Sequence, residues 1–198
     1  MDRNSPVEYI EPTAVSISAT KLLIAHIHSL SMLHPHTPPL VYPILTPRFA
    51  ISCTDSLLTA LGTLAAEDPG LCIQTHIAEN PAEIALTKKL FPACTTYAGV
   101  YDAFGLLRHN TVLAHAVHLE EEELCLIAQK GAGVSHCPTS NFNLSSGIAR
   151  VGELLDRGIK VRLRLPLPFH GCANYFLFSL GCRLAWVQTC RVGSRRLF

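Results

Sequence analysis

Two side chains suited to metal binding and proton transfer, His76 and Glu79, lie close together near the middle of the chain. They follow an apolar run at residues 71–75 that is typical of a strand, and Pro81 opens a helical pattern directly afterwards. Neutral imidazole is a common metal ligand, and a neighbouring carboxylate can carry a proton. In β/α folds the loop after the carboxyl end of a strand carries the chemistry. The stretch therefore predicts a metal ligand and a proton carrier in one pocket.

The same arrangement recurs along the chain. Consecutive predicted strands end near a polar side chain that can bind or ionise, namely Arg48, His76, His115 and His136. A lone His-x-x-Glu is frequent by chance, but strands that alternate with helices of about 8–15 residues are typical of parallel β/α units. Because the carboxyl ends of parallel strands share one face, the joint pattern predicts a single site there.

Hydrophobic periodicity supplies the elements that must position these residues. Residues 1–20 are polar, contain two prolines and predict a loop, with the first helix starting at Ser18. Leu57, Leu58, Leu61 and Leu64 form the apolar stripe of the second helix. The predicted helices cover residues 18–30, 52–66, 82–90, 120–130 and 151–157, and the predicted strands cover residues 41–46, 71–76, 111–115, 131–138 and 159–161.

Bulk composition narrows the class of protein. The chain has 198 residues, of which 48% are hydrophobic, so it can bury the core of one domain. A net charge of +1 gives no reason to expect binding to nucleic acid or a membrane surface. No apolar run is long enough for a membrane span, and the first residues do not resemble a signal peptide. Eight cysteines without a C-x-x-C pair then indicate a reduced, cytoplasmic protein.

Charge divides the chain near residue 161. Residues 162–198 contain six arginines and no acidic residue, whereas every aspartate and glutamate lies in residues 1–161. A folded segment normally carries both signs on its exposed face. We therefore predict a β/α domain over residues 1–161 and a divergent basic tail over residues 162–198.

Several motifs carry a resemblance to the amidohydrolase superfamily and, within it, to the guanine deaminase family. The resemblance covers roughly residues 1–161 and implies an α/β fold, a zinc-dependent (β/α)8 TIM barrel of which this chain would hold a part. It further implies a homodimer that converts guanine to xanthine and ammonia. The motifs are Thr46-Pro47-Arg48-Phe49, Gln74-Thr75-His76-Ile77-Ala78-Glu79-Asn80, Leu113-Ala114-His115 and Ser135-His136-Cys137-Pro138-Thr139-Ser140-Asn141, together with Met1-Asp2-Arg3-Asn4, which resembles an internal segment of that family.

The resemblance also implies roles for individual residues. His76 would be a ligand of Zn2+, and Glu79 would shuttle a proton from the attacking water to the purine ring. His115 would position that water or support the metal site. Arg48 and Phe49 would hold the guanine, since a planar Arg donor array suits a purine edge.

Two family features are missing from the sequence. The early strand ending in His-x-His is absent, because His26 and His28 lie in a helical pattern and point about 200° apart. His34 and His36 lie in a proline-rich loop. The late Gly-Thr-Asp is also absent, since Arg162 follows Val161 where the motif is expected.

These departures lead us to expect a chain truncated at both ends, with a shifted reading frame or a retained intron near codon 161. Zinc takes about three or four protein ligands, so we expect weak zinc binding and negligible activity from a chain with so few. The alternatives to a guanine deaminase are a catalytically inactive fragment and a deaminase of another heterocycle.

The remaining polar candidates have plainer interpretations. Cys137 is predicted to pack at a strand end, because a nucleophilic thiol needs an organised base. Asn141 and Asn143 are predicted to cap or turn a loop rather than to touch substrate. His109 and His118 are predicted to be polar surface residues.

Overall fold

A parallel five-stranded sheet forms the centre of the computed structural model, which describes residues 1–32, 39 and 41–163. Neighbouring strands in the sheet are also neighbours in sequence, in the order β1-β2-β3-β4-β5. This order is that of a β/α barrel, whereas a doubly wound sheet reverses its order at a switch point. The strands are β1 (Ile44–Leu45), β2 (Cys72–Ile77), β3 (Thr111–His115), β4 (Gly133–His136) and β5 (Lys160–Leu163).

Helices connect the strands and cover the sheet. The helices are α1 (Thr13–Met32), α2 (Asp55–Glu67), α3 (Pro81–Leu90), α4 (Tyr97–Ala103), α5 (Glu121–Lys130), α6 (Pro138–Asn143) and α7 (Val151–Asp156). Short 3₁₀ turns cover Val7–Tyr9 and Ala50–Ser52. The α/β class predicted from the alternating pattern is confirmed.

Local sequence explains where the central helices begin. The Thr54 side chain accepts a hydrogen bond from the backbone N–H of Leu57 and caps α2. Asn80 caps α3 in the same way, with Pro81 at its first position. Helix α3 therefore starts directly after the loop that carries Glu79, as predicted.

The core lies between the sheet and the helices. Ile73 and Ile77 of β2 and Leu113 of β3 are fully buried. The predicted stripe of α2 is confirmed, because its four leucines all belong to this core. The strands that carry the candidate site are thus fixed by packing on their outer face.

Several boundaries differ from the sequence predictions. Helix α1 begins at Thr13, so the loop predicted over residues 1–20 is wrong in its second half. The first strand shrinks to two residues, and the helix predicted from Ser52 divides into a 3₁₀ turn and α2. Helices α4 and α6 were not predicted, because their short apolar patterns span fewer than two turns.

The predicted tail lies mostly outside the described residues, and only Arg162 and Leu163 belong to β5. His34 and His36 also lie outside them. The five described cysteines, Cys53, Cys72, Cys94, Cys125 and Cys137, are not joined in disulfides. Within the part of the chain that the structure describes, no helix is both long and apolar enough to cross a membrane.

Candidate active site

The strand register brings the predicted histidines to one end of the sheet. His76 of β2 pairs with Ala114, and Ile77 pairs with His115 of β3. Ala114 in turn pairs with Ser135, so His136 of β4 follows at the same level. The polar strand ends predicted from the sequence therefore lie side by side at the carboxyl edge.

Three aromatic rings form a continuous stack at this edge. The ring of Phe49 stacks on His76 with centroids 4.2 Å apart, and His76 stacks on His115 at 5.2 Å. The guanidinium of Arg48 lies over the ring of Phe49, 5.3 Å from its centroid. Residues from β3, β2 and the turn after β1 thus share one surface.

The backbone at His115 is what turns its ring towards His76. Ala114 lies opposite His76 in the register, so regular alternation would direct the His115 side chain to the other face of the sheet. His115 instead has a φ of 73°, in the left-handed region, where strand geometry ends. Ala116 at 52° and Ala78 at 47° share this conformation. Strained non-glycine residues of this kind cluster at functional sites.

Hydrogen bonds determine which ring nitrogen carries the proton in each of the two stacked histidines. His76 Nδ1 lies 2.7 Å from the backbone oxygen of Arg48, and His115 Nδ1 lies 2.7 Å from Asn141 Oδ1. Both partners only accept, so each Nδ1 carries a proton, and in the neutral form of each ring the lone pair lies on Nε2. This is the tautomer in which Nε2 can bind a metal or accept a proton.

Glu79 faces His115 at the same edge of the sheet. Its Oε1 lies 3.3 Å from His115 Nδ1, and both side chains are buried. The Ser146 hydroxyl donates to the same oxygen at 3.5 Å. A carboxylate held beside an imidazole, with little water around it, can take up and release a proton during a reaction.

His136 completes the row, although no role was predicted for it beyond its place at a strand end. Its Nδ1 is buried and has no hydrogen-bond partner among the residues that the structure describes. Burial lowers the pKa of His136 below its usual range, and repulsion from the protonated form of His115 lowers it further. Both effects favour the neutral ring.

Two sequence interpretations need correction. Asn141 was predicted to cap or turn a loop, but its side chain is buried and accepts from His115. His118 was predicted to be a surface residue, but it is half-buried and its Nε2–H donates to the Ser146 carbonyl at 2.7 Å. The sequence gave no signal for these two contacts, because the partners lie 26 and 28 residues apart in the chain.

Other interpretations hold. Cys137 is buried at the end of β4, and its Sγ donates to the Ser135 carbonyl. His109 is exposed. His26 and His28 lie in α1, as the helical pattern predicted, and are exposed.

No complete metal centre converges among residues 1–32, 39 and 41–163. No group of three or more His, Cys, Asp or Glu side chains there has the geometry to hold a metal ion. Structural and catalytic zinc sites use about three or four protein ligands. The described residues therefore do not by themselves supply such a ligand set.

Comparison with known proteins places these features in context. Residues 15–164 match the Amidohydrolase family. The chain is 51% identical over 164 residues to a Schizosaccharomyces pombe protein named "Probable guanine deaminase", covering 82% of this chain and 30% of that protein.

Solved structures give the same result. The E. coli guanine deaminase superimposes with a TM-score of 0.75 at 34% identity, over 82% of this chain and 36% of that one. The C. acetobutylicum guanine deaminase, solved with bound guanine in its active site, has a TM-score of 0.73 at 38% identity, over 82% of this chain and 37% of that one. The chain thus spans about a third of the length of the relatives that it matches.

Proposed function

Because this chain belongs to the amidohydrolase family, we propose that its strand ends form part of a zinc-dependent site that hydrolyses guanine to xanthine and ammonia. The observation that carries the proposal is the contact of Glu79 Oε1 with His115 Nδ1 at 3.3 Å, beside the stacked ring of His76. A proton carrier, an orienting imidazole and a candidate metal ligand would then share one pocket. The similarity to proteins named guanine deaminase supports guanine as the substrate.

His76 is the described residue best suited to ligate zinc. Its Nδ1–H donates to the Arg48 carbonyl, which orients the ring and leaves the lone pair on Nε2. Metal-bound histidines are commonly held by such a bond. The part of the chain described here fits one side of a zinc site and not a full ligand set. Zinc supplies Lewis acidity that makes water a nucleophile near neutral pH.

Glu79 is the proposed general acid and base. Water adds to the carbon that bears the amino group of guanine. The proton of the added hydroxyl then passes to the amino nitrogen, the bond from that carbon to the nitrogen breaks, ammonia leaves and the carbonyl of xanthine forms. Glu79 takes the proton of the attacking water and delivers it to the purine ring. His115 holds the carboxylate in place through the 3.3 Å contact, while Asn141 orients His115 from behind. Positioned acid–base groups contribute about 10²–10⁴-fold to rate.

Arg48 and Phe49 are the proposed recognition residues. Arg48 is exposed at the mouth of the pocket, and its guanidinium lies over the Phe49 ring. A planar fork of N–H donors matches the acceptor edge of guanine, and a lysine would not present it. The aromatic face of Phe49 would supply stacking area beside the purine.

The resemblance to the guanine deaminase family also implies an oligomeric state and a cellular location. We propose that the protein acts as a homodimer in the cytoplasm, in purine catabolism. Light scattering on the purified chain measures the oligomeric state directly, and a mass of a single chain would contradict the dimer.

The test combines binding and turnover on the purified chain. Zinc content is measured by mass spectrometry, xanthine by its absorbance, and binding by chemical-shift changes on addition of guanine, cytosine or a triazine. We expect guanine alone to shift the signals of Arg48, Phe49 and His76. Glu79→Gln should leave guanine binding in place and remove xanthine formation, while Glu67→Gln, at an exposed position, should change neither.

Each outcome decides one part of the proposal. Guanine binding without xanthine formation would support recognition of the purine and refute catalysis by this chain, as expected of an inactive fragment. Absence of both would refute the proposed function. Binding or turnover of cytosine or a triazine, with no response to guanine, would assign the site to another heterocycle.

A further inference from the structure

Helix α4 carries two tyrosines one turn apart whose hydroxyl groups are buried behind the candidate site. Tyr97 and Tyr101 are 1% and 0% exposed, and their rings stack with centroids 5.5 Å apart. Neither was singled out in the sequence, and neither takes part in the proposed chemistry. Burying a hydroxyl is unfavourable unless it is paired, so the partners of these two groups show what they do.

The Tyr101 hydroxyl uses its full hydrogen-bonding capacity at the end of β2. It donates to the backbone oxygen of His76 at 2.7 Å. It accepts from Thr75 Oγ1 at 2.7 Å and from the backbone N–H of Ala50 at 3.0 Å. Since a tyrosine hydroxyl has one donor and two acceptor positions, none remains unused. Ala50 directly follows Phe49, so the hydroxyl oxygen of Tyr101 joins the backbone beside Phe49 to the backbone of His76.

The Tyr97 hydroxyl acts on the other end of the same loop. It donates to Glu83 Oε1 at 2.6 Å. The second oxygen of that carboxylate, Oε2, accepts the backbone N–H of Glu79 at 3.1 Å. Glu83 is itself buried at the start of α3, so it forms a bridge between α4 and the loop.

The two hydroxyls restrain the backbone on both sides of the left-handed residue in the loop, Tyr101 by a direct hydrogen bond and Tyr97 through Glu83. Ala78, at a φ of 47°, lies between His76, whose carbonyl Tyr101 holds, and Glu79, whose amide Glu83 holds. A left-handed alanine persists only where the surrounding structure over-determines it. The bonds from α4 contribute to that restraint, together with the backbone N–H groups of Val117 and His118, which donate to the Ala78 carbonyl at 3.1 and 3.0 Å.

We propose that Tyr97 and Tyr101 are positioning residues, which set the placement of His76, Glu79 and Phe49 through the backbone. What they position rests on the function proposed above, but the restraint itself is independent of it. The competing interpretation is that both tyrosines are ordinary core residues whose rings matter and whose hydroxyls stabilise the fold as a whole. The two interpretations predict destabilisation in different parts of the chain when either hydroxyl is removed.

Amide hydrogen exchange on Tyr101→Phe and Tyr97→Phe separates them, because both variants keep the ring. A local hydrogen bond lost from a protected amide accelerates its exchange by about tenfold. We expect Tyr101→Phe to accelerate the amide of Ala50 by that factor, and Tyr97→Phe to accelerate the amide of Glu79. The amide of Ile127, in the buried part of α5, serves as the reference for global opening.

Tyr9→Phe is the matched control, since Tyr9 is 62% exposed. It should leave all three amides at their wild-type rates. Where guanine binds the wild-type chain, we also expect both site variants to weaken that binding by about tenfold, because the loop loses its preorganisation.

The results that overturn the proposal are specific. Acceleration of the Ile127 amide by the same factor as Ala50 and Glu79 would mean that the hydroxyls stabilise only the fold. Unchanged exchange at the amides of Ala50 and Glu79 would mean that the bonds do not restrain the backbone beside Phe49 and at Glu79. A chain that fails to bind guanine but shows the two local accelerations would refute the proposed function and support the positioning role.

Discussion

Replacement of Gly62 by alanine tests a close approach between α2 and the end of α4. A Cβ at this position of α2 would lie 2.0 Å from the carbonyl oxygen of Phe104 and 3.2 Å from its carbonyl carbon. Phe104 ends α4, the helix that carries Tyr97 and Tyr101. The obstacle is backbone, so it cannot turn aside as a flexible side chain would.

The expected effect is the difference between two opposing contributions. Overpacking of this kind costs about 1–3 kcal/mol, and the upper end applies because a backbone must move. Alanine in place of glycine inside a helix returns about 1 kcal/mol. We therefore expect Gly62→Ala to lower the free energy of unfolding by about 2 kcal/mol. Gly152→Ala, where no atom lies within 4 Å of the new Cβ, should raise it by about 0.5–1 kcal/mol.

Urea denaturation of both variants measures this contrast. The midpoint should fall for Gly62→Ala and rise for Gly152→Ala, with the slope unchanged. Because α4 must move away from α2, Gly62→Ala should also accelerate exchange of the Ala50 amide, which Tyr101 holds. A Gly62→Ala chain as stable as the wild type would refute the close approach. A destabilised Gly62→Ala chain whose Ala50 amide exchanges at the wild-type rate would refute the link between this approach and the bond from Tyr101.

Three further perturbations follow from single contacts. Burial raises the pKa of Glu83 above its ordinary value, so its contribution to stability is present below about pH 4.3 and falls as pH rises through the folded-state pKa. Glu83→Gln should therefore gain stability relative to wild type between about pH 4 and pH 7, and a urea midpoint difference that is constant over this range would contradict it. Asn141→Ala, which removes the acceptor of His115 Nδ1, should cost about 1–3 kcal/mol of unfolding free energy, whereas Asn143→Ala at an exposed position should be neutral; equal midpoints would show that the bond is not needed. Arg48→Lys should weaken guanine binding by about tenfold in a shift titration, because lysine lacks the planar fork, and undiminished affinity would remove Arg48 from recognition.

Much of the framework was accessible from the sequence. The apolar runs that end in His76 and His115 predicted parallel strands, and both strands form with those residues at their ends. The stripe of α2 and Pro81 at the first position of α3 predicted those helices with boundaries close to the observed ones. These signals are local, because burial of one face and capping of one end depend on residues within two turns.

Short or weakly patterned helices were less accessible. Helix α1 begins at Thr13, whose hydroxyl donates to Asp2 at 2.7 Å, and that partner lies outside any helical period. Helix α4 has only seven residues, so its periodicity could not be told from a loop. The tyrosines that it carries therefore passed unnoticed, although their spacing of four places them on one face.

The sequence by itself determined the residue types and the strand ends at which they lie, since parallel β/α units present their carboxyl ends on a common face. Tertiary structure alone decided how those residues face one another. The left-handed backbone of His115 turns its ring towards His76, against the alternation of the strand. Asn141 reaches His115 from helix α6, which follows β4. Such contacts join residues far apart in the chain, and no local pattern records them.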